Sequence, residues 1–247
     1  MTWPARTLPG HEALHVQHRF PAPIVFAEIQ SAGRGRRGRS WLAPFGSGLT
    51  FSIAWTYAEV PAQLPALSLA VGVAVADTLR AHGAAGVMLK WPNDVLWQGR
   101  KLGGLLIQLR FEAGGAASVV VGVGINVELP REAREAIARD PSATSVADVA
   151  EACGGRAPGR NALAGALVSA VCAALERHGR EGFVAVSERW QALDALAGRP
   201  VRVAQSSGAV EGRALGIDGD GALRVDVDGR VETFHAGDVS LRPAVSA

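Results

Sequence analysis

The stretch 118–129, SVVVGVGINVEL, is continuously apolar from Val119 to Ile125 and too short for a long helix, so it reads as a strand covered on both faces. A strand of that kind lies in the middle of a sheet, and the rest of the chain must supply neighbours on both edges and a cover. The neighbours are close in sequence. PIVFAEI from Pro23, GLTFSIAW from Gly48 and VMLKW from Val87 are short β-branched or aromatic runs, and NDVLW and LLIQLRF form a hairpin joined by QGRKLGG. The cover comes from three helices. Leu67 to His82 is closed by Gly83, Asn161 to His178 carries Leu163, Leu167, Val171 and Leu175 at helical spacing, and FVAVSERWQALDAL runs from Phe183 toward Gly198. Beyond Arg199 the chain changes character, with short alternating strands (PVRVAQ, EGRALGID, ALRVDVD, VETFHA, VSLRP) divided by SSG, GDG, DGR and AGD. The expected architecture is α+β: a mixed β-sheet with helices packed on one face over residues 1–197, then a small antiparallel barrel over 198–247.

With 247 residues and 48% apolar content the chain can bury a large core, which excludes disorder as its main state. Only two of its 25 basic residues are lysines, Lys90 and Lys101, and the formal charge is only +2. A field that attracts nucleic acid or membrane in general is excluded, so partners must be recognised locally. Two cysteines, Cys153 and Cys172, are too few for a disulfide framework, and the first ten residues lack the apolar stretch of a signal peptide. A cytoplasmic location follows as the expectation. The longest apolar run, from Leu67, is interrupted by Ser68, Gly72, Asp77 and Thr78 and reads as a buried helix, so no membrane association is expected.

Three segments carry polar chemistry. Gly33-Arg34-Gly35-Arg36-Arg37-Gly38-Arg39 contains the spacing GxGxxG after a strand, but Ser40, Trp41 and then APFGSG do not open a helix, as a dinucleotide-binding turn requires. It reads as a loop whose four clustered guanidinium groups repel one another until phosphate oxygens neutralise them, with Trp41 placed to stack on a base. A solvated basic loop is the plainer alternative. Lys90-Trp91-Pro92-Asn93-Asp94 leaves its strand at Pro92, and the following hairpin returns Lys101 and Gly103-Gly104 to the same end, so that an amide, a carboxylate and an ammonium converge. The plainer alternative is a surface ion pair. In Gly122-Val123-Gly124-Ile125-Asn126, glycines clear space at a strand end and Asn126 offers a donor and an acceptor suited to an adenine edge.

Taken together, QSAGRGRRGRSW, KWPNDV, GRKLGGLL and GVGINV resemble the biotin protein ligase family, over a span from about Pro23 to Pro243. The resemblance implies a class II synthetase-like catalytic domain with an SH3-like C-terminal domain. It also implies ATP-dependent joining of biotin to a lysine of a biotin carboxyl carrier protein, of acetyl-CoA carboxylase or a related carboxylase, through biotinyl-5'-AMP; the nucleotide chemistry itself implies Mg²⁺. By the same resemblance Gln30, Gly33, Arg34, Gly35 and Arg36 bind biotin; Arg36, Arg37 and Arg39 organise the phosphates; Trp41 covers the adenine; and Asn93, Asn126 and Arg242 belong to the nucleotide site. The resemblance also implies that Lys101 binds near the reacting carboxylate and phosphate; Asp94, from its place at the hairpin edge, is the candidate for orienting the acceptor amine or taking its proton. The family also carries a Ser-Thr-Asn stretch before the first strand. Here the corresponding residues are Arg6-Thr7-Leu8-Pro9, where Thr7 alone offers a hydroxyl, so weaker biotin binding is expected.

No helix-turn-helix precedes the first strand, so no operator DNA is expected, and a homodimer is compatible with the sequence. Lipoate or octanoyl transfer on the same architecture is the nearest alternative. From other classes come an RNA-binding module, suggested by the arginine loop, and a zinc peptidase, suggested by the HExxH spacing of His11, Glu12 and His15.

Overall fold

The structure is a computed structural model and describes residues 22–111, 116–140, 145–205, 208–235 and 240–243. Strands β1 (Ile24–Ala27), β4 (Gly48–Tyr57), β5 (Val87–Lys90), β6 (Asp94–Trp97), β7 (Arg100–Phe111) and β8 (Ala117–Asn126) form one sheet in the order β1-β4-β8-β7-β6-β5. The apolar stretch that demanded cover on both faces is β8, paired with β4 on one side and β7 on the other. All five ladders are antiparallel. Among the described residues, parallel pairing is confined to two isolated bridges, Leu89 with Asp194 and Lys101 with Val146.

Helices α1 (Leu67–Ala81), α4 (Arg160–Glu181) and α5 (Val184–Ala192) join the core of this sheet. In α4, Leu163, Leu167, Val171 and Leu175 are fully buried, the stripe that their four-residue spacing predicts. Tyr57 fixes α4 to the sheet by donating to the Leu175 carbonyl at 2.9 Å, and burial pushes its phenol pKa up. The 18-residue window Leu64–Ala81 is apolar and long enough to cross a bilayer by composition. It is a core helix because α1 packs against α4, α5 and the sheet.

Three local expectations are corrected. The arginine segment is a hairpin, not an open loop: β2 (Gln30–Arg34) pairs with β3 (Ser40–Ala43) across a 3-10 turn at Arg36–Gly38. The extended flanks satisfy each other's peptide groups, while Gly38 accepts the positive φ (+72°) at the tip. The connection QGRKLGG shrinks to the two residues Gln98 and Gly99, both at positive φ as a tight hairpin turn demands, so Lys101 lies on a strand. Helix α5 ends at Ala192, well before Gly198. Beyond it the chain supplies edge strand β5 with partners: the Leu89 amide donates to the Leu193 carbonyl and the Ala195 amide to the Leu89 carbonyl.

Two short helices were not anticipated, α2 (Arg131–Ala138) and α3 (Val149–Ala152). After α5 come β9 (Pro200–Gln205), β10 (Gly208–Ile217), β11 (Leu223–Val227), β12 (Arg230–Phe234) and β13 (Ser240–Pro243), an antiparallel sheet in the order β12-β11-β10-β9-β13. Val201, Val203, Ala214, Val225 and Phe234 close its buried side.

Candidate active site

Pro92 takes the chain out of β5 as the sequence implies, and Ser68 at the start of α1 donates to the Pro92 carbonyl at 3.1 Å. Asn93 is then clamped to β7: its side chain donates to the Leu105 carbonyl at 2.6 Å, and its own carbonyl accepts from the Leu105 amide at 2.9 Å. That clamp sets Asp94 opposite Gly104 in the ladder, within reach of both lysines. The Asp94 carboxylate lies 2.7 Å from Lys101 Nζ and 3.0 Å from Lys90 Nζ. The three side chains are 14%, 26% and 11% accessible, so this is a largely buried charge cluster rather than a surface ion pair. Burial raises the Asp94 pKa, but the Lys101 and Lys90 ammonium groups outweigh it and hold the carboxyl below its usual range.

That balance divides the role expected of Asp94. A carboxylate held ionised by two cations is a poor proton acceptor, so the geometry favours the orienting part and not the general base. Lys101 is fixed from two further sides. Its amide donates to the Ser145 carbonyl and its carbonyl accepts from the Ala147 amide. Its Nζ lies 5.7 Å from the centroid of the Trp41 ring, within cation–π range.

Trp41 reaches this point because β8 carries a glycine beneath it. A Cβ at Gly124 would come within 2.9 Å of the indole Cζ2 and 3.0 Å of Cε2, closer than packed carbons approach. Within the hairpin, a Cβ on Gly33 would collide with the Trp41 carbonyl and lie 3.0 Å from Gln30 Oε1, so Gln30, Gly33 and Trp41 are one packed unit. The Gly35 amide donates to the Arg39 carbonyl at 2.6 Å and closes the arginine turn. Arg36 is half-buried, whereas Arg34 and Arg39 are exposed.

The structure thus gathers Lys101, Asp94, Trp41 and Gly124, with Asn93 beside them. Asn126 is placed differently from the expectation. It is 4% accessible and its amide nitrogen donates to the Ala147 carbonyl at 3.0 Å and the Lys101 carbonyl at 3.4 Å, which makes it a support for Lys101 rather than an open adenine reader. Arg242 pairs through its backbone with Arg202 in the C-terminal sheet. The side chains of Arg37 and Arg242, together with Thr7 and the whole HExxH spacing, lie outside the described residues.

Sequence reasoning passed over an ionic support behind Lys101. Asp148 caps α3 by accepting from the Glu151 amide at 2.9 Å and also accepts from the Leu129 amide and Arg134. Glu151 in turn pairs with Arg100 at 3.0 Å and Arg134 at 3.1 Å. The signal was present in Asp148 followed three residues later by Glu151, a helix-start pattern.

A six-stranded sheet with helices on its core, an arginine hairpin against one end and a half-buried lysine at the same end define the class. The sequence profile of the Biotin/lipoate A/B protein ligase family matches residues 12–126, and that of the biotin protein ligase C-terminal domain matches 197–242. The chain belongs to the biotin protein ligase family. It is 40% identical over 218 residues to the bifunctional ligase/repressor BirA of Escherichia coli, covering 88% of this chain and 66% of that protein, slightly under two thirds of its length. It is 38% identical over 222 residues to the biotin–[acetyl-CoA-carboxylase] ligase of Mycobacterium tuberculosis, covering 87% of this chain and 77% of that one. The fold matches the biotin protein ligase from Aquifex aeolicus in complex with biotin and ATP, with a TM-score of 0.79, 23% identity and 96% of each chain covered.

Proposed function

We propose that this protein ligates biotin to a lysine of a biotin carboxyl carrier protein, that of acetyl-CoA carboxylase or a related carboxylase, in two steps driven by ATP. The observation that carries the reading is Lys101, an ammonium fixed at 2.7 Å from a buried carboxylate and facing an indole, beside a hairpin bearing four arginines.

In the first step a biotin carboxylate oxygen bonds to the α-phosphorus of ATP, and the bond to pyrophosphate breaks. Two anions must meet, and fixed cations aimed at the phosphate oxygens lower that barrier without rearranging. Lys101 supplies one; the hairpin arginines Arg36, Arg37 and Arg39 supply the others. Gln30 and Gly33, packed on Trp41, form the wall on which the biotin ring is placed, and the indole is the surface for the adenine. In the second step the carrier amine attacks the activated carbonyl carbon, the C–N bond forms as the C–O bond to the phosphate breaks, AMP leaves with that electron pair, and the amine's proton passes to water. Asp94 orients that amine while remaining ionised.

Mg²⁺ belongs with ATP in this scheme. Among the described residues no three His, Cys, Asp or Glu side chains gather into a metal site. Relatives named for biotin ligation support biotin over lipoate. We place the enzyme in the cytoplasm and divide its two parts between residues 197 and 198.

The test is ATP–pyrophosphate exchange with purified protein. Exchange is expected with biotin and not with lipoate; exchange with lipoate alone would transfer the reading to the neighbouring chemistry. A second prediction concerns the indole. Gly124→Val pushes Trp41 off β8, costs about 1–3 kcal/mol of stability through overpacking, and lowers exchange about tenfold, for a displacement of about 1 Å. An unchanged exchange rate in a folded variant would remove Trp41 from the site.

A further inference from the structure

The indole of Trp91 ties the WPND turn to the C-terminal sheet. Trp91 is 1% accessible, and its Nε1–H donates to the Gly221 carbonyl at 2.9 Å across 130 positions of sequence. Gly221 belongs to the turn between β10 and β11, which is braced from within: the Asp218 carboxylate accepts from the Asp220 and Ala222 amides at 2.9 Å each, and the Asp218 amide donates to the Ala222 carbonyl. The turn is also pressed on the entry to α1. Gly221 has φ +79°, and a Cβ there would lie 2.7 Å from Ala66 Cβ and 2.9 Å from Leu69 Cδ1. Between those two contacts sits Ser68, which donates to the Pro92 carbonyl. The turn therefore touches both the α1 entry that holds Pro92 and the tryptophan next to it.

Trp91 stands between Lys90 and the Pro92-Asn93-Asp94 turn, so its position governs where Lys90 and Asp94 lie relative to Lys101. We propose that the 218–222 turn is a latch through which the C-terminal sheet sets the geometry of the Lys90–Asp94–Lys101 cluster, with Trp91, Gly221 and Asp218 as positioning residues. This rests on the ligase reading above for the step that it affects. Nothing in the latch needs to touch a substrate. It acts by fixing the strand end on which the charges are mounted, and a misplacement of about 1 Å at a reacting centre costs up to about 100-fold in rate.

The experiment uses the full chain with three substitutions. Trp91→Phe removes the N–H donor and keeps a buried ring. Asp218→Ala unbraces the latch turn. Asp226→Ala, the control, breaks a similar bond to the Gly229 amide in another turn of the same sheet, between β11 and β12. The measurements are kcat and KM for biotin-dependent pyrophosphate exchange, thermal stability, and the titration of the Asp94 carboxyl by NMR. The latch predicts a fall in kcat of about 10- to 100-fold for Trp91→Phe and Asp218→Ala. KM for ATP and biotin should stay within about threefold, the Asp94 carboxyl should move up toward its ordinary range, and Asp226→Ala should behave as wild type.

Wild-type kcat and wild-type Asp94 titration in Trp91→Phe would overturn the latch. So would losses of activity in all three variants that simply follow their melting temperatures. Should Asp218→Ala fail to fold, Trp91→Phe decides. If the wild-type protein exchanges no pyrophosphate with biotin, the ligase reading fails by itself, and the Asp94 titration still decides the latch.

Discussion

Lys101→Gln lowers kcat for biotin-dependent pyrophosphate exchange by about 100- to 1,000-fold, the range for losing one fixed group that stabilises developing charge. Glutamine is one atom shorter and stays polar but removes the positive charge from the one ammonium that both pairs with Asp94 and faces the indole. Lys101→Arg does not restore the rate. The side chain runs 3.4 Å from the place where a Cβ on Gly104 would stand, and a planar guanidinium is wider than the ammonium that this space accommodates. Pre-steady-state measurement of adenylate formation separates this loss from substrate binding, and a Lys101→Gln variant with the wild-type burst would remove Lys101 from the chemistry.

Asp94→Asn acts on stability as much as on rate. The substitution leaves two ammonium groups facing a neutral amide in a largely buried place, and breaking such a pair costs about 3–5 kcal/mol when fully buried. Because Lys101 is 26% accessible, water recovers part of this, and about 2–4 kcal/mol in urea unfolding is expected. The pH dependence has a definite sign. The Asp94 pKa is lower in the folded chain than in the unfolded chain, so its contribution is complete above the unfolded value of about 4 and is lost as pH falls through the lower folded value. In Asp94→Asn this part of the acid limb disappears. A variant as stable as wild type at pH 7, with an unaltered acid limb, would contradict a buried charge cluster.

The sheet and its helices were legible because their apolar periodicities are local: β8 announced a covered strand, and the spacing of Leu163, Leu167, Val171 and Leu175 announced α4. The convergence of Lys101 with Asp94 was legible for a similar reason, since Pro92 and a hairpin lie only a few residues apart. The arginine segment misled because glycine and arginine have weak strand preference in themselves. It becomes a hairpin only when Gly33 can lie against Trp41 and Trp41 against Gly124. Asn126 misled in a different way. Its side chain suits an adenine edge, but nothing near it in sequence reveals that Ala147 and Lys101 present carbonyls to the same amide. The supports of the site, Asp148 with Arg134 and Glu151 with Arg100, and the bond from Trp91 to Gly221, join residues 14 to 130 positions apart and leave no periodic trace.

We propose that this chain moves biotin onto a lysine through an adenylate built at Lys101. The direct measurement is mass spectrometry of a biotin carboxyl carrier protein incubated with the enzyme, biotin and ATP. One biotinyl group on a single carrier lysine is expected, with no product without ATP and a rate for Lys101→Gln lower by at least about 100-fold. An unmodified carrier, or one equally modified with lipoate, would contradict it.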